Sequence, residues 1–122
     1  MTILMSRDQR RSYPVNLEQV YPSLHQFFGG YFHEDFNLEF KDEEDAINTF
    51  LTDEPLEKIS SSLAELDQVL EVEIIEEEAS RYLEDFGSAY YPAARGRTAL
   101  EWLKHVRERL ASYVSSKSNA DQ

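Results

Sequence analysis

The hydrophobic positions of this chain fall into stripes with a helical period. Leu24, Phe27, Phe28, Tyr31 and Phe32 stand at i, i+3, i+4, i+7 and i+8, which gathers them on one face of a helix. Ala46, Ile47, Phe50 and Leu51 make a second stripe, and Leu56, Ile59, Leu63, Leu66 and Leu70, spaced 3, 4, 3 and 4 apart, make a third. Ile74, Ala79, Leu83 and Phe86 form a fourth, and Trp102, Leu103, Val106, Leu110 and Tyr113 a fifth, with Lys104, Arg107 and Arg109 turned outward. A helix that is apolar on one side must bury that side against another element. The pattern therefore predicts an all-α fold, a single-domain bundle of about five helices, and it contains no internal repeat.

Punctuation residues set the boundaries. Pro22 suits the first position of the first long helix, where its missing N–H would be unpaired anyway. Gly29 and Gly30 fall inside that helix. They read either as a stop or as small residues under a close neighbour, and the unbroken apolar period favours one continuous helix. Asn16 with Gln19 predicts a capped short turn holding Leu17 and Val20, and residues 37–41 read as a connector with Leu38 and Phe40 alternating as in an extended piece. A single helix from Pro55 to Phe86 would be about 48 Å long, longer than the ~35 Å diameter of a domain this size. A break is therefore placed at 71–73, where the alternation of Val72 and Ile74 hints at a strand. Gly87 reads as a helix stop, and Thr98 with Glu101 three residues on predicts a capping box for the last helix. Residues 1–15 read as a flexible N-terminal arm, 16–114 as the helical domain and 115–122 as a polar C-terminal tail.

Charge adds a partner class. Of 122 residues, 24 are acidic and 12 basic, a formal net charge of −12. Between Glu34 and Asp85 there are 19 Asp and Glu against Lys41, Lys58 and Arg81, so this segment carries −16 and the remainder +4. Such a field repels nucleic acid and anionic membrane and attracts a basic partner. The bland counterpart is a set of solvated acidic helix faces. There is no cysteine, which removes disulfides and thiolate metal sites. No signal-peptide core or membrane-length apolar run is present, and the expectation is a soluble cytoplasmic protein.

Catalytic chemistry finds little support. His33, Glu34 and Asp35 are consecutive and point to different sides of a helix, while His25 and His33 are about 12 Å apart along a helix axis. Neither arrangement ligates a metal, and no cofactor is implied. Paired carboxylates abound, but acid–base work needs a cleft that separates their pKa values. Gly29-Gly30 lacks the context of a phosphate loop, and Ser60, Ser61 and Ser62 lack a nucleophile elbow and read as a small polar helix face. Arg95 and Arg97 read as balancing the acidic body rather than as an anion site. The chain is read as a binding protein, not an enzyme.

The stretch Tyr21 to Phe36 holds six of the fourteen Tyr and Phe residues. Its Tyr21-Pro22 start, its centre Phe28-Gly29-Gly30-Tyr31-Phe32-His33 and its end Glu34-Asp35-Phe36 resemble the opening signature of a family of immunity proteins from bacterial contact-dependent growth inhibition systems. The likeness continues through Ala46, Ile47, Phe50 and Leu51, a Leu-rich helix, Gly87 to Pro92, and Leu100 to Leu103, covering about Leu17 to Leu110. Phe36 stands where family members often carry Trp. The resemblance implies a protein that binds one cognate toxin domain and blocks it stoichiometrically, the toxin commonly being a nuclease. Clustered carboxylates would then occupy the basic surface that holds phosphates. The candidate contacts are Asp42, Glu43, Glu44 and Asp45, together with Glu71, Glu73, Glu76, Glu77 and Glu78, with Tyr90 and Tyr91 as aromatic anchors. The alternative is an acidic adaptor that binds a basic segment of a host protein.

Overall fold

A computed structural model describes residues 13–14 and 16–120. Among these the chain is all-helical, in the order α1 (Leu17–Val20), α2 (Pro22–Tyr31), α3 (Phe36–Glu39), α4 (Glu43–Asp53), α5 (Leu56–Glu71), α6 (Glu76–Asp85), a 3-10 turn (Pro92–Arg95) and α7 (Ala99–Ala120). Among the described residues there are seven helices, where about five were expected. The additions are the single-turn helices α1 and α3. In α1 the Asn16 side chain makes no cap, and it is the Asn16 carbonyl that accepts from the N–H groups of Gln19 and Val20. In α3 the helical turn sends Phe36 and Phe40, four residues apart, toward the core with ring centroids 6.4 Å apart. The extended reading of Leu38 and Phe40 fails for that reason.

Four of the five longer helices follow the predicted stripes. α2 runs through both glycines and begins with Pro22 at its first turn. Its C-cap, Phe32, is the centre of the core: its ring lies 5.4 to 6.3 Å from those of Phe27, Phe28, Phe36, Tyr90 and Trp102. Each such fully buried large side chain contributes about 1.5–3 kcal/mol of transfer free energy, and tilted or edge-on pairs add about 0.5–1.5 kcal/mol. α7 buries Trp102, Leu103, Val106 and Leu110, and it packs against both α5 and α6.

α5 deviates from its predicted stripe. Ile59 and Leu66 are buried as expected, but Ser62 and Val69 join them, while Leu63 and Leu70 are only half-buried and Leu56 is exposed. The helix is rotated so that its centre line falls between the leucine row and the next. Ser62, read as part of a polar face, is fully buried with its hydroxyl donating to the Lys58 carbonyl at 2.9 Å. That bond satisfies the only polar group the residue brings inside.

The break in the acidic region lies where helix length required it. α5 ends at Glu71 and Val72 is extended, with no strand pairing among the described residues. Gly87 stops α6 with φ 86°, and Ser88 N–H donates to the Leu83 carbonyl at 3.0 Å, closing the last turn. The Thr98–Glu101 capping box is formed: Thr98 N–H donates to Glu101 Oε1 at 2.9 Å and Glu101 N–H to Thr98 Oγ1 at 3.0 Å. α7 continues through Ala120, beyond Tyr113 where its apolar stripe ends. Most of the predicted N-terminal arm lies outside the described residues. Tyr13, near its end, packs on Tyr82 and donates its hydroxyl to Asp85.

Candidate functional site

The first acidic cluster begins α4. Asp42 caps that helix by accepting from Asp45 N–H at 2.9 Å, and Asp45 in turn accepts from Lys41 N–H at 2.9 Å. Both carboxylates also face the positive end of the helix dipole. Glu44 pairs with His105 at 2.7 Å and with Arg109, joining α4 to α7. Glu43 is only 4% exposed, and its carboxylate lies 3.6 Å from Arg95 and 3.8 Å from Arg97. The two arginines thus answer a buried charge on α4, partnerships 52 and 54 residues distant that no local pattern discloses.

The second cluster lies between α5 and α6. Glu76 accepts from the N–H groups of Ala99 and Leu100 at 2.7 and 2.9 Å, and so caps the start of α7 from outside. Glu78 accepts from Ile75 N–H at the start of its own helix at 3.1 Å. Glu73 is exposed and engaged within the chain. Glu71 and Glu77 are exposed and have no partner among the described residues. Ile75, in the middle of this acidic turn, is 57% exposed.

Tyr90 and Tyr91 part company. Tyr90 is 9% exposed and packs 4.7 Å from Trp102, whereas Tyr91 is 73% exposed. The Tyr90 hydroxyl is buried without a hydrogen-bond partner. Burial, and then the Glu43 carboxylate, push its pKa up to about 12. An open pocket of about 230 Å³ lies between α3 and the loop that carries these tyrosines, with His33, Glu34, Asp42, Tyr90, Tyr91 and Arg95 among its lining. Leu38, on α3, is 85% exposed, a feature the sequence reading did not single out. The histidines take local partners: His33 Nε2 is 3.1 Å from Glu39, and Asp35 N–H donates to His33 Nδ1 at 3.1 Å. Among the described residues no group of three or more His, Asp and Glu side chains is placed to hold a metal, and no helix is long and apolar enough to cross a membrane.

The arrangement is a helical body with carboxylates and apolar side chains on its surface, and its comparison with known proteins is decisive. The sequence model described as CdiI immunity protein matches residues 20–110. The chain belongs to the CdiI immunity protein family. Its match spans every long helix from α2 to the middle of α7. The fold is similar to a chain in the crystal structure of a CdiA-CT/CdiI complex from Y. kristensenii 33638, with a TM-score of 0.73 at 24% identity over 78% of this chain and 97% of that one. No match is found among proteins with curated descriptions. Membership in this family makes the chain an immunity protein of a contact-dependent growth inhibition system.

Proposed function

We propose that this CdiI protein neutralises a cognate CdiA C-terminal toxin domain in the cytoplasm by forming a tight one-to-one complex, and that the toxin is a nuclease. The observation that carries the reading is the family match over residues 20–110. The charge supplies its mechanism. A nuclease needs a cationic surface to hold phosphates. The −16 segment from Glu34 to Asp85 presents carboxylates to such a surface and competes with substrate for it. The acids divide by role: Glu43, Glu44, Glu76 and Glu78 hold the fold together, and exposed Glu34, Glu71 and Glu77 supply long-range attraction to the partner.

Co-expression tests the reading. The CdiA C-terminal domain encoded beside this chain is produced with and without it, growth is followed, and a tag on one chain is used to recover the other. Rescue of growth with co-elution at one-to-one stoichiometry is expected. Continued killing with no complex would remove the pairing.

A further inference from the structure

We propose that the toxin domain docks on the face between α3 and the loop of residues 88–95, where Tyr91 stacks an arginine side chain of the toxin and Glu34 and Asp42 receive its guanidinium. The proposal rests on the immunity reading above and deepens it by naming the face and the chemistry of the contact.

Among the described residues, Tyr91 is the large aromatic side chain that the fold leaves in solvent. Its backbone is extended, with φ −111° and ψ 98°, so successive side chains point opposite ways. Tyr90 therefore enters the core, and Tyr91 leaves it. The loop beneath is fixed from several sides. Ala89 N–H donates to the Phe32 carbonyl at 2.6 Å, Pro92 opens the 3-10 turn, and Glu43 holds Arg95 and Arg97. A ring presented from a braced segment loses little freedom on binding, which is the property of an interface anchor. Clefts adjoin it on two sides: the 230 Å³ pocket toward α3, and a second of about 380 Å³ lined by Leu83, Ser88 and Pro92. A partner side chain thus has access to the face of the ring. On α3, Phe36 and Asn37 line the first pocket.

The pocket is rich in acceptors that the fold does not satisfy. Glu34 is exposed without a partner among the described residues. Asp42 uses Oδ1 for the Asp45 N–H, leaving Oδ2 available. The Tyr90 hydroxyl, buried at the back of the pocket, lies against the Glu43 carboxylate. Glu43 is shared by Arg95 and Arg97, so the rim carries Glu34 and Asp42 beside Lys41 and the half-exposed Arg95. Guanidinium fits these features together: it is planar for stacking on Tyr91, cationic for the carboxylates, and has five N–H donors for the acceptors.

Binding of the purified CdiA C-terminal domain encoded beside this chain tests the proposal, with folding of each variant confirmed by thermal melting. Tyr91→Ala is expected to weaken affinity by roughly 30-fold or more, as for an interface hot spot. Tyr91→Phe retains the ring and stays within about 3-fold of wild type, whereas Tyr91→Leu, apolar but without a π face, falls with Tyr91→Ala. Glu34→Gln weakens binding about tenfold, and Glu18→Gln, exposed on α1 and outside the acidic segment, stays within about 3-fold. Wild-type affinity in Tyr91→Ala, or full retention by Tyr91→Leu, overturns the stacking contact while leaving immunity intact. Absence of binding by the wild-type chain overturns the immunity reading itself and the docking face with it.

Discussion

Gly29 sits directly under the carbonyl oxygen of Phe86: a Cβ at position 29 would stand 2.9 Å from that oxygen. Gly29 is thus the point where α2 and the end of α6 approach backbone to backbone, and a Cβ at Gly87 would in turn lie 3.6 Å from the Gly29 Cα. Its neighbour Gly30 has open space where a side chain would be. The pair separates two roles of glycine. Gly29→Ala forces the helices apart and is expected to lower unfolding free energy by about 1–3 kcal/mol. Gly30→Ala, exposed in the last turn of α2, is expected to raise it by about 0.5 kcal/mol. Urea unfolding of both variants checks the sign of each.

Two helix N-termini are capped from other helices. Glu65 on α5 accepts from Ser23 and Leu24 N–H at 3.2 and 2.9 Å at the start of α2, and Glu76 on α6 does the same for α7. Each carboxylate satisfies two N–H groups that a helix start leaves open and meets the positive end of the dipole. Glu76→Ala and Glu65→Ala are each expected to destabilise by about 1–2 kcal/mol, in the range of a lost N-cap. Replacement by Gln, which retains an acceptor oxygen, loses less. Denaturant midpoints at pH 7 distinguish these cases, and unchanged midpoints for both Ala variants would refute the capping role.

Tyr90 gives the fold an alkaline weakness. Its pKa is raised from 10.0 to about 12 because burial, reinforced by Glu43, disfavours the phenolate. The folded state therefore holds the proton more tightly than the unfolded state. The associated stability is complete below about pH 10 and is lost as pH rises toward 12. Tyr13 and Tyr31 shift in the same direction, through burial and their hydrogen bonds to Asp85 and Glu54. Tyr90→Phe is expected to change stability by less than about 1 kcal/mol at pH 7, since Glu43, the acceptor beside the hydroxyl, keeps Arg95 and Arg97. It should also flatten part of the fall between pH 10 and 12. Thermal melts across that range check both statements.

Much of the bundle was legible because helices announce themselves locally. Pro22, the stripe through Gly29 and Gly30, and the Thr98–Glu101 box all depend on residues within four positions of one another. The family, too, was legible from the Tyr21 to Phe36 signature. What escaped was determined at long range. Glu65 and Ser23 are 42 positions apart, and Glu76 and Ala99 are 23 apart. The sequence placed Glu76 among the candidate toxin contacts, with a solvated acidic helix face as the alternative, and did not disclose that it caps α7. The rotation of α5 that buries Ser62 depends on how α2 and α7 sit against it, which the spacing of its leucines does not encode. The prominence of Leu38 follows from the helical turn between Phe36 and Phe40, and the reading of that segment as extended concealed it.

The most direct test of the account is inhibition of the toxin's chemistry. The purified CdiA C-terminal domain encoded beside this chain is incubated with RNA and with DNA, and cleavage is followed as the chain is titrated in. The account predicts that one nucleic acid is cut and that cleavage falls in proportion to added chain, reaching zero at one equivalent. Cleavage undiminished by excess chain would contradict neutralisation by binding, and a toxin that cuts neither RNA nor DNA would contradict its assignment as a nuclease.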